Sequence, residues 1–213
     1  MKFTTLLIFF ILPIIAYSQS SLKEEYTQDA TRVFDAEEIV FYGIDFSNFR
    51  LVNPEKHGQE NELKKFLTAW MSDFHKSFPK ERVKAILKKD IERDLQSVQQ
   101  RYQLLGDKWI VFNDYRFDFD TLKSILKSYE LPQNEGLGLV LIIENFNKEA
   151  ENVMVNYTFF DIKTKEVLWS LKIQSYAGGA GMTNHWANGL IMSMGQFKRS
   201  YRGALLKNKK SRK

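Results

Sequence analysis

Three stretches in the C-terminal half, residues 137–146, 152–162 and 166–176, are dense in β-branched and aromatic residues, and short polar links join them. Strands that return through such short links pair antiparallel, because a parallel return needs a crossover of about a dozen residues or more. In the third stretch Val167, Trp169, Leu171 and Ile173 fall on one side, and Ser170, Lys172 and Gln174 on the other. That alternation predicts a half-buried sheet with one wet face.

Upstream the period changes. Residues 38–46 (EIVFYGIDF) read as a first, largely buried strand, and 47–60 as a loop marked by Asn53-Pro54 and His57-Gly58. Leu63, Phe66, Leu67, Trp70, Met71, Phe74 and Phe78 recur at three- and four-residue steps, which predicts an amphipathic helix. Pro79 ends it and opens a second helix, where Val83, Leu87, Ile91, Leu95, Val98, Tyr102 and Leu105 keep the period until Gly106. Two antiparallel helices with facing stripes are expected.

Residues 108–113 read as a short strand, and Asp120 as the cap of a brief helix carrying Leu122, Ile125, Leu126 and Tyr129. After a glycine-rich turn, Trp186, Leu190, Met194, Phe197 and Tyr201 share one side of a last helix. Residues 19–37 are mixed and polar, a loose lead-in or a short helix. Each apolar stripe needs a sheet to cover. The expected fold is therefore a single α+β domain over residues 19–206. Its amphipathic helices pack on a mainly antiparallel sheet centred on the C-terminal three-strand meander.

The N terminus follows a different grammar. Lys2 precedes an apolar run over residues 6–16, and Ala16-Tyr17-Ser18 places small residues at the first and third positions before Gln19. This is the order of a secretory signal peptide, with residues 1–18 removed between Ser18 and Gln19. The run is too short to span a bilayer, and Pro13 interrupts it. An exported, periplasmic or secreted protein without a transmembrane span is expected.

Composition narrows this further. With no cysteine, the chain has neither a lipid attachment site nor disulfides, so its core alone must hold it together. The content of 44% hydrophobic and 14% aromatic residues is that of a folded globule. The net charge of +5 hides an asymmetry. Without Lys2 the charge is +4, and the eight cations from Lys198 onward leave residues 19–197 at −4. The basic end, including a tail over 207–213, reads as a solvated terminus that suits an acidic partner or anionic lipid. Export argues against nucleic acid.

Candidate chemistry is sparse. His57, His75 and His185 lack metal-site spacing and read as surface or capping residues. Asp114, Asp118 and Asp120 lack the glycine and final glutamate of a calcium loop and read as turn and capping carboxylates. Ser193 precedes Gly195, but Ile191 stands where a nucleophile elbow needs glycine, so Ser193 belongs to packing. The most unusual segment is 177–186 (AGGAGMTNHW), between a strand and a helix. Its candidate ligand residues are Gly178, Gly179, Gly181, Thr183, Asn184, His185 and Trp186. Glycines there permit positive φ, and helix-start amides attract anions. The segment fits neither nucleotide-binding fingerprint, and a tight capped turn explains it as well.

Residues 137–186 resemble a set of uncharacterised exported bacterial proteins, through Asp161-Ile162-Lys163-Thr164-Lys165-Glu166-Val167-Leu168 and Gly178-Gly179-Ala180-Gly181. More loosely, the chain is similar to the envelope α/β domains of the curli-secretion lipoprotein and the Tol system's N-terminal domain. That similarity implies a protein that binds other envelope components. The chain departs from the curli type in lacking the lipid-bearing cysteine.

The leading expectation is a non-enzymatic exported binding or assembly module with no cofactor and an envelope or acidic partner. Its alternatives are small anionic-ligand binding or weak hydrolysis at the 178–186 corner, and a structural subunit of an envelope complex.

Overall fold

The computed structural model describes residues 23–54 and 60–212. The expected signal peptide, its junction at Ser18 and Gln19, and His57 lie outside the described residues. The alternating stretches form the expected meander: β6 (Leu137–Asn147), β7 (Asn152–Asp161) and β8 (Val167–Tyr176). Polar residues 23–27, read as a lead-in, instead form β1 (Lys23–Thr27), antiparallel to β8 at the sheet edge.

The other half of the sheet is parallel. β2 (Glu38–Asp45) lies between β6 and β4 (Asp90–Arg93), parallel to both. β3 (Arg50–Val52), in the expected loop, pairs with the far end of β6 and with β5 (Ile110–Val111). The sheet, eight-stranded among the described residues, is thus mixed, not mainly antiparallel. The helical stretches between β3 and β6 provide the crossovers that parallel pairing requires.

The helices are α1 (Ala30–Asp35), α2 (Glu60–Asp73), α3 (Lys80–Leu87), α4 (Gln96–Gln99), α5 (Phe119–Lys127) and α6 (Met182–Ser211). The long second helix of the sequence reading is broken. α3 ends at Lys88, whose φ of 60° is left-handed, and Ile91 lies in β4 opposite Ile39. Val83, Leu87 and Ile91 keep a helical spacing because a one-sided strand buries a residue that happens to fall in phase. After α4 a 3₁₀ segment, Gln100–Leu105, completes the stretch. α6 continues through Ser211, so most of the basic tail is helical rather than loose. Among the described residues, no helix is long and apolar enough to cross a membrane.

The two sheet faces are built differently. On the first, Phe41, Leu141, Tyr157, Phe159 and Trp169 belong to one core with Trp70, Trp186, Phe197 and Tyr201 from α2 and α6. On the second, Val40, Tyr42, Val140, Ile142 and Phe160 meet Leu122, Ile125 and Leu126 of α5. A β-bulge pairs Phe159 with Trp169 and Phe160 with Val167, leaving Leu168 as the extra residue. Val167 therefore joins the second face, not the side of Trp169 as strict alternation predicts.

Candidate functional site

The expected wet face is only partly wet. α5 covers the β2–β6 half of the second face, while toward β7 and β8 the sheet presents Asn156, Thr158, Ser170 and Lys172. Asn156, Thr158 and Ser170 are buried, and the Lys172 side chain is only 11% exposed. The segment ahead of α5 folds over this polar strip.

A second bulge supplies the centre of the strip. Ile143 pairs with Val155 and Asn145 with Met154, so Glu144 is the extra residue on β6. The side chains of Glu144 and Asn145 both reach the segment ahead of α5. Glu144 Oε1 accepts from the Phe117 amide at 3.1 Å, and Asn145 Nδ2 donates to the Tyr115 carbonyl at 2.6 Å. Lys172 Nζ donates to the Phe117 carbonyl at 2.7 Å and lies 3.1 Å from Glu144 Oε2, to which Asn156 Nδ2 also donates at 3.2 Å. Burial raises the Glu144 carboxyl pKa, while Lys172 and these hydrogen bonds pull it down. A buried carboxyl is tolerated here because both of its oxygens have partners.

Beside this group the second face opens into a recess of about 200 Å³. Asn156, Ser170 and Lys172 line it from β7 and β8, Glu24 and Tyr26 from β1, and Asp118, Phe119 and Leu122 from α5. Tyr26 stacks on Phe119 with ring centroids 3.5 Å apart, joining the edge strand to the start of α5. Asp118, rather than the expected Asp120, caps α5 by accepting from the Thr121 amide at 2.8 Å. That amide contact, together with the Thr121 side chain and the nearby Lys172 charge, holds the Asp118 carboxyl below its usual value. Asp114 pairs with Arg116 and Asp120 with Lys123, so the acidic cluster serves local ties. Among the described residues, no group of three or more metal-ligating side chains is placed to hold an ion.

A second polar network closes the C-terminal end of β2. This strand lies between two parallel neighbours, the kind of position where open α/β sheets commonly hold ligands. Here it is filled. Asp45 is wholly buried and accepts from the Ser47 amide at 2.7 Å and from the Tyr129 hydroxyl at 2.6 Å. The Arg101 guanidinium lies 4.5 Å over the Tyr129 ring, with Nε 3.7 Å from Asp45 Oδ2. Tyr102 donates its hydroxyl to the Ile44 carbonyl at 2.5 Å and sits 2.6 Å from His75 Nε2. His75 is thus a buried core residue, not the expected surface or capping histidine. Its pKa is lowered to about 4, chiefly by burial.

At the 178–186 corner the structure places the candidate residues in a tight connection. Gly179 and Gly181 take φ of 122° and 80°, and α6 starts after Gly181. Asn188 Nδ2 donates to the Gly178 carbonyl at 2.7 Å, and Asn184 Nδ2 to the Ala180 carbonyl at 3.3 Å. Thr183 lies in the first turn of α6. His185 is buried, again against expectation, and burial lowers its pKa. Trp186 lies in the first-face core, its ring 4.9 Å from Phe146 and 6.4 Å from Trp70. Ser193 is a packing residue, with Oγ 2.8 Å from the Tyr157 hydroxyl and donating to the Leu190 carbonyl.

The recess was missed at the sequence level, although Glu144 gave one signal: it is the single charge in the apolar run 137–146. No family model matches the chain, and no curated protein matches it. Among solved structures, two PelC dodecamers from Paraburkholderia phytofirmans align with it, one of them a point variant. The variant is 10% identical and the other 9%; each alignment has a TM-score of 0.30 and covers 78% of this chain and 89% of that one. Overlap at this level does not define a shared fold.

Proposed function

We propose that the chain is an exported, non-enzymatic binding module of the cell envelope, and that the second-face recess receives a small ligand or a partner's side chain. The observation that carries this reading is the fixed polar floor beneath an opening of about 200 Å³. Asn156 and Lys172 at that floor are already committed to contacts with Glu144 and the Phe117 carbonyl that set their orientation. Such groups recognise a ligand at little ordering cost. They are poorly suited to shuttling protons, because each transfer would break a contact that holds α5 on the sheet. The apolar portions of Tyr26, Phe119 and Leu122 supply the desolvating wall that small-ligand sites use.

Photo-crosslinking in intact cells tests this reading. A photoreactive residue at Leu122 is expected to capture a discrete partner or ligand, while one at the exposed Lys127 captures none. Equal capture at both positions, or none at Leu122, overturns it. Export is tested separately by intact mass: material outside the cytoplasm is expected to begin at Gln19. Full-length chain confined to the cytosol removes the envelope setting.

A further inference from the structure

We infer that the solvent face of α6 is a docking surface for an anionic lipid bilayer. α6 contains no acidic residue from Met182 to Ser211. Its inward side is spent on the core through Trp186, Leu190, Phe197 and Tyr201. At about 100° per residue, Met192, Arg199 and Leu206 stand two turns apart on the opposite side, with Ile191, Arg202, Lys209 and Lys210 beside them. Met192 is 54% exposed and Leu206 60%. The ridge therefore interleaves apolar tips with cations over a length of roughly 27 Å, at 1.5 Å per residue from Met192 to Lys210.

The charges on this ridge are unspent. Arg212, just past the helix, forms a bidentate pair with Asp35 at 2.8 and 2.6 Å. Among the described residues, no carboxylate pairs with Arg199, Arg202, Lys207, Lys209 or Lys210. The remainder, residues 19–197, sums to −4, so an anionic surface attracts one side of the molecule and is repelled by the rest. A straight, convex ridge offers neither a groove nor directed acceptors to enclose a protein segment. It does match a plane of negative headgroups with hydrocarbon a few ångströms beneath. Long cationic side chains reach the headgroups while Met192 and Leu206 enter the interface. Polybasic attraction then adds to the apolar insertion.

Flotation with vesicles tests this on the protein purified in the form the cell makes. Phosphatidylcholine vesicles containing phosphatidylglycerol are expected to carry the wild type, pure phosphatidylcholine vesicles to carry little, and high salt to release it. Replacing Arg199, Arg202, Lys209 and Lys210 together by Gln is expected to weaken binding by two orders of magnitude or more, at roughly fivefold per cation. The control replaces Lys80, Lys108, Lys127 and Lys163 by Gln, removing the same charge elsewhere, and is expected to keep most of the binding. Met192→Ser with Leu206→Ser is expected to cost severalfold. The altered side chains are exposed, and an unchanged thermal melt shows that each variant folds.

Absence of wild-type flotation overturns the inference, as does equal loss in the α6 and control variants. Capture of polyglutamate or DNA without flotation assigns the ridge to an acidic polymer and likewise overturns it. Lipid and salt dependence of the wild type tests the inference even if a variant misfolds.

Discussion

The two faces of the sheet spend their side chains on different ends. The first is rich in aromatic rings: Phe146, Phe159 and Trp169 of the sheet pack ring against ring with Trp70 of α2 and Trp186 and Phe197 of α6. The second is apolar only under α5 and becomes polar toward β8, where Glu144, Asn156, Thr158, Ser170 and Lys172 are tied to one another or to backbone. Burying apolar area stabilises without regard to direction, whereas a buried polar strip does little more than break even once satisfied. The first face thus explains why the chain folds without disulfides. The second retains a specific arrangement beside an opening, which is where recognition is to be sought.

If that contrast is right, the costliest single change lies on the first face. Trp186→Ala removes a wholly buried ring stacked on Phe146. It is expected to lower unfolding free energy by about 4 kcal/mol in urea titration. A loss under about 2 kcal/mol would show that the first face closes over cavities more readily than its packing implies.

Legibility in the sequence follows the same division. Helix α2, the meander and the inward side of α6 were readable because their burial is one-sided and local. β4 was not, since Ile91 falls in phase with Val83 and Leu87 whether the chain coils or extends. β1 escaped notice because KEEYT is an edge strand with little to bury, and edge strands carry charge to discourage further pairing. Parallel pairing of β2 with β6 joins residues about a hundred positions apart, which no local pattern encodes. The bulges at Glu144 and Leu168 are equally hidden, the first placing a charge in the apolar run of β6 and the second moving Val167 to the second face against the alternation. At the 178–186 corner the glycines are plain in the sequence, and the positive φ of Gly179 and Gly181 makes the turn into α6.

On the second face the decisive pair is Glu144 and Lys172. Glu144→Ala leaves the nearly buried Lys172 ammonium with only the half-exposed Glu24 carboxylate, 3.6 Å away, as counter-charge and is expected to cost about 3 kcal/mol. Glu144→Leu combined with Lys172→Met leaves no charge behind and is expected to cost less than the single change. It is also expected to abolish crosslinking from Leu122. A double variant less stable than Glu144→Ala would mean that the ion pair is a net source of stability, erasing the contrast.

The end of β2 adds a pH dependence of its own. Because Tyr102 donates to the Ile44 carbonyl, it accepts from His75 Nε2–H. Nδ1 is left as the unprotonated nitrogen, facing Gly43 without a hydrogen-bond partner among the described residues. Protonation would place a charge there. The folded value of about 4 lies below the ordinary 6.5, so the neutral ring's stabilisation is complete above pH 6.5. It is lost as pH falls toward 4, and amounts to about 3 kcal/mol. Urea titrations at pH 7 and pH 4 are expected to show a smaller drop for His75→Gln than for wild type. Parallel curves would remove His75 from the acid response.

Gly138 tests how tightly the apolar part of the second face is packed. A Cβ there would stand 2.5 Å from the Phe160 ring, which Tyr42 and Tyr129 flank. Gly138→Ala is expected to cost about 2 kcal/mol, and Phe160→Leu to restore part of it. Full stability of the single variant would show that the ring has room to move.

The smallest effect is expected from the hydroxyl pair between the apolar and charged parts of the strip. Thr158 Oγ1 and Ser170 Oγ lie 2.9 Å apart and are buried. Ser170→Ala leaves the Thr158 hydroxyl without that partner and is expected to cost about 1 kcal/mol. Thr158→Val with Ser170→Ala replaces both by groups of similar shape and is expected to return close to wild type. That outcome would show that polarity in this row is not there for stability. Ser170 lines the recess, so the paired variant should keep its melting temperature yet lose capture at Leu122. Retained capture with retained stability would move recognition off Ser170 and onto Asn156 and Lys172.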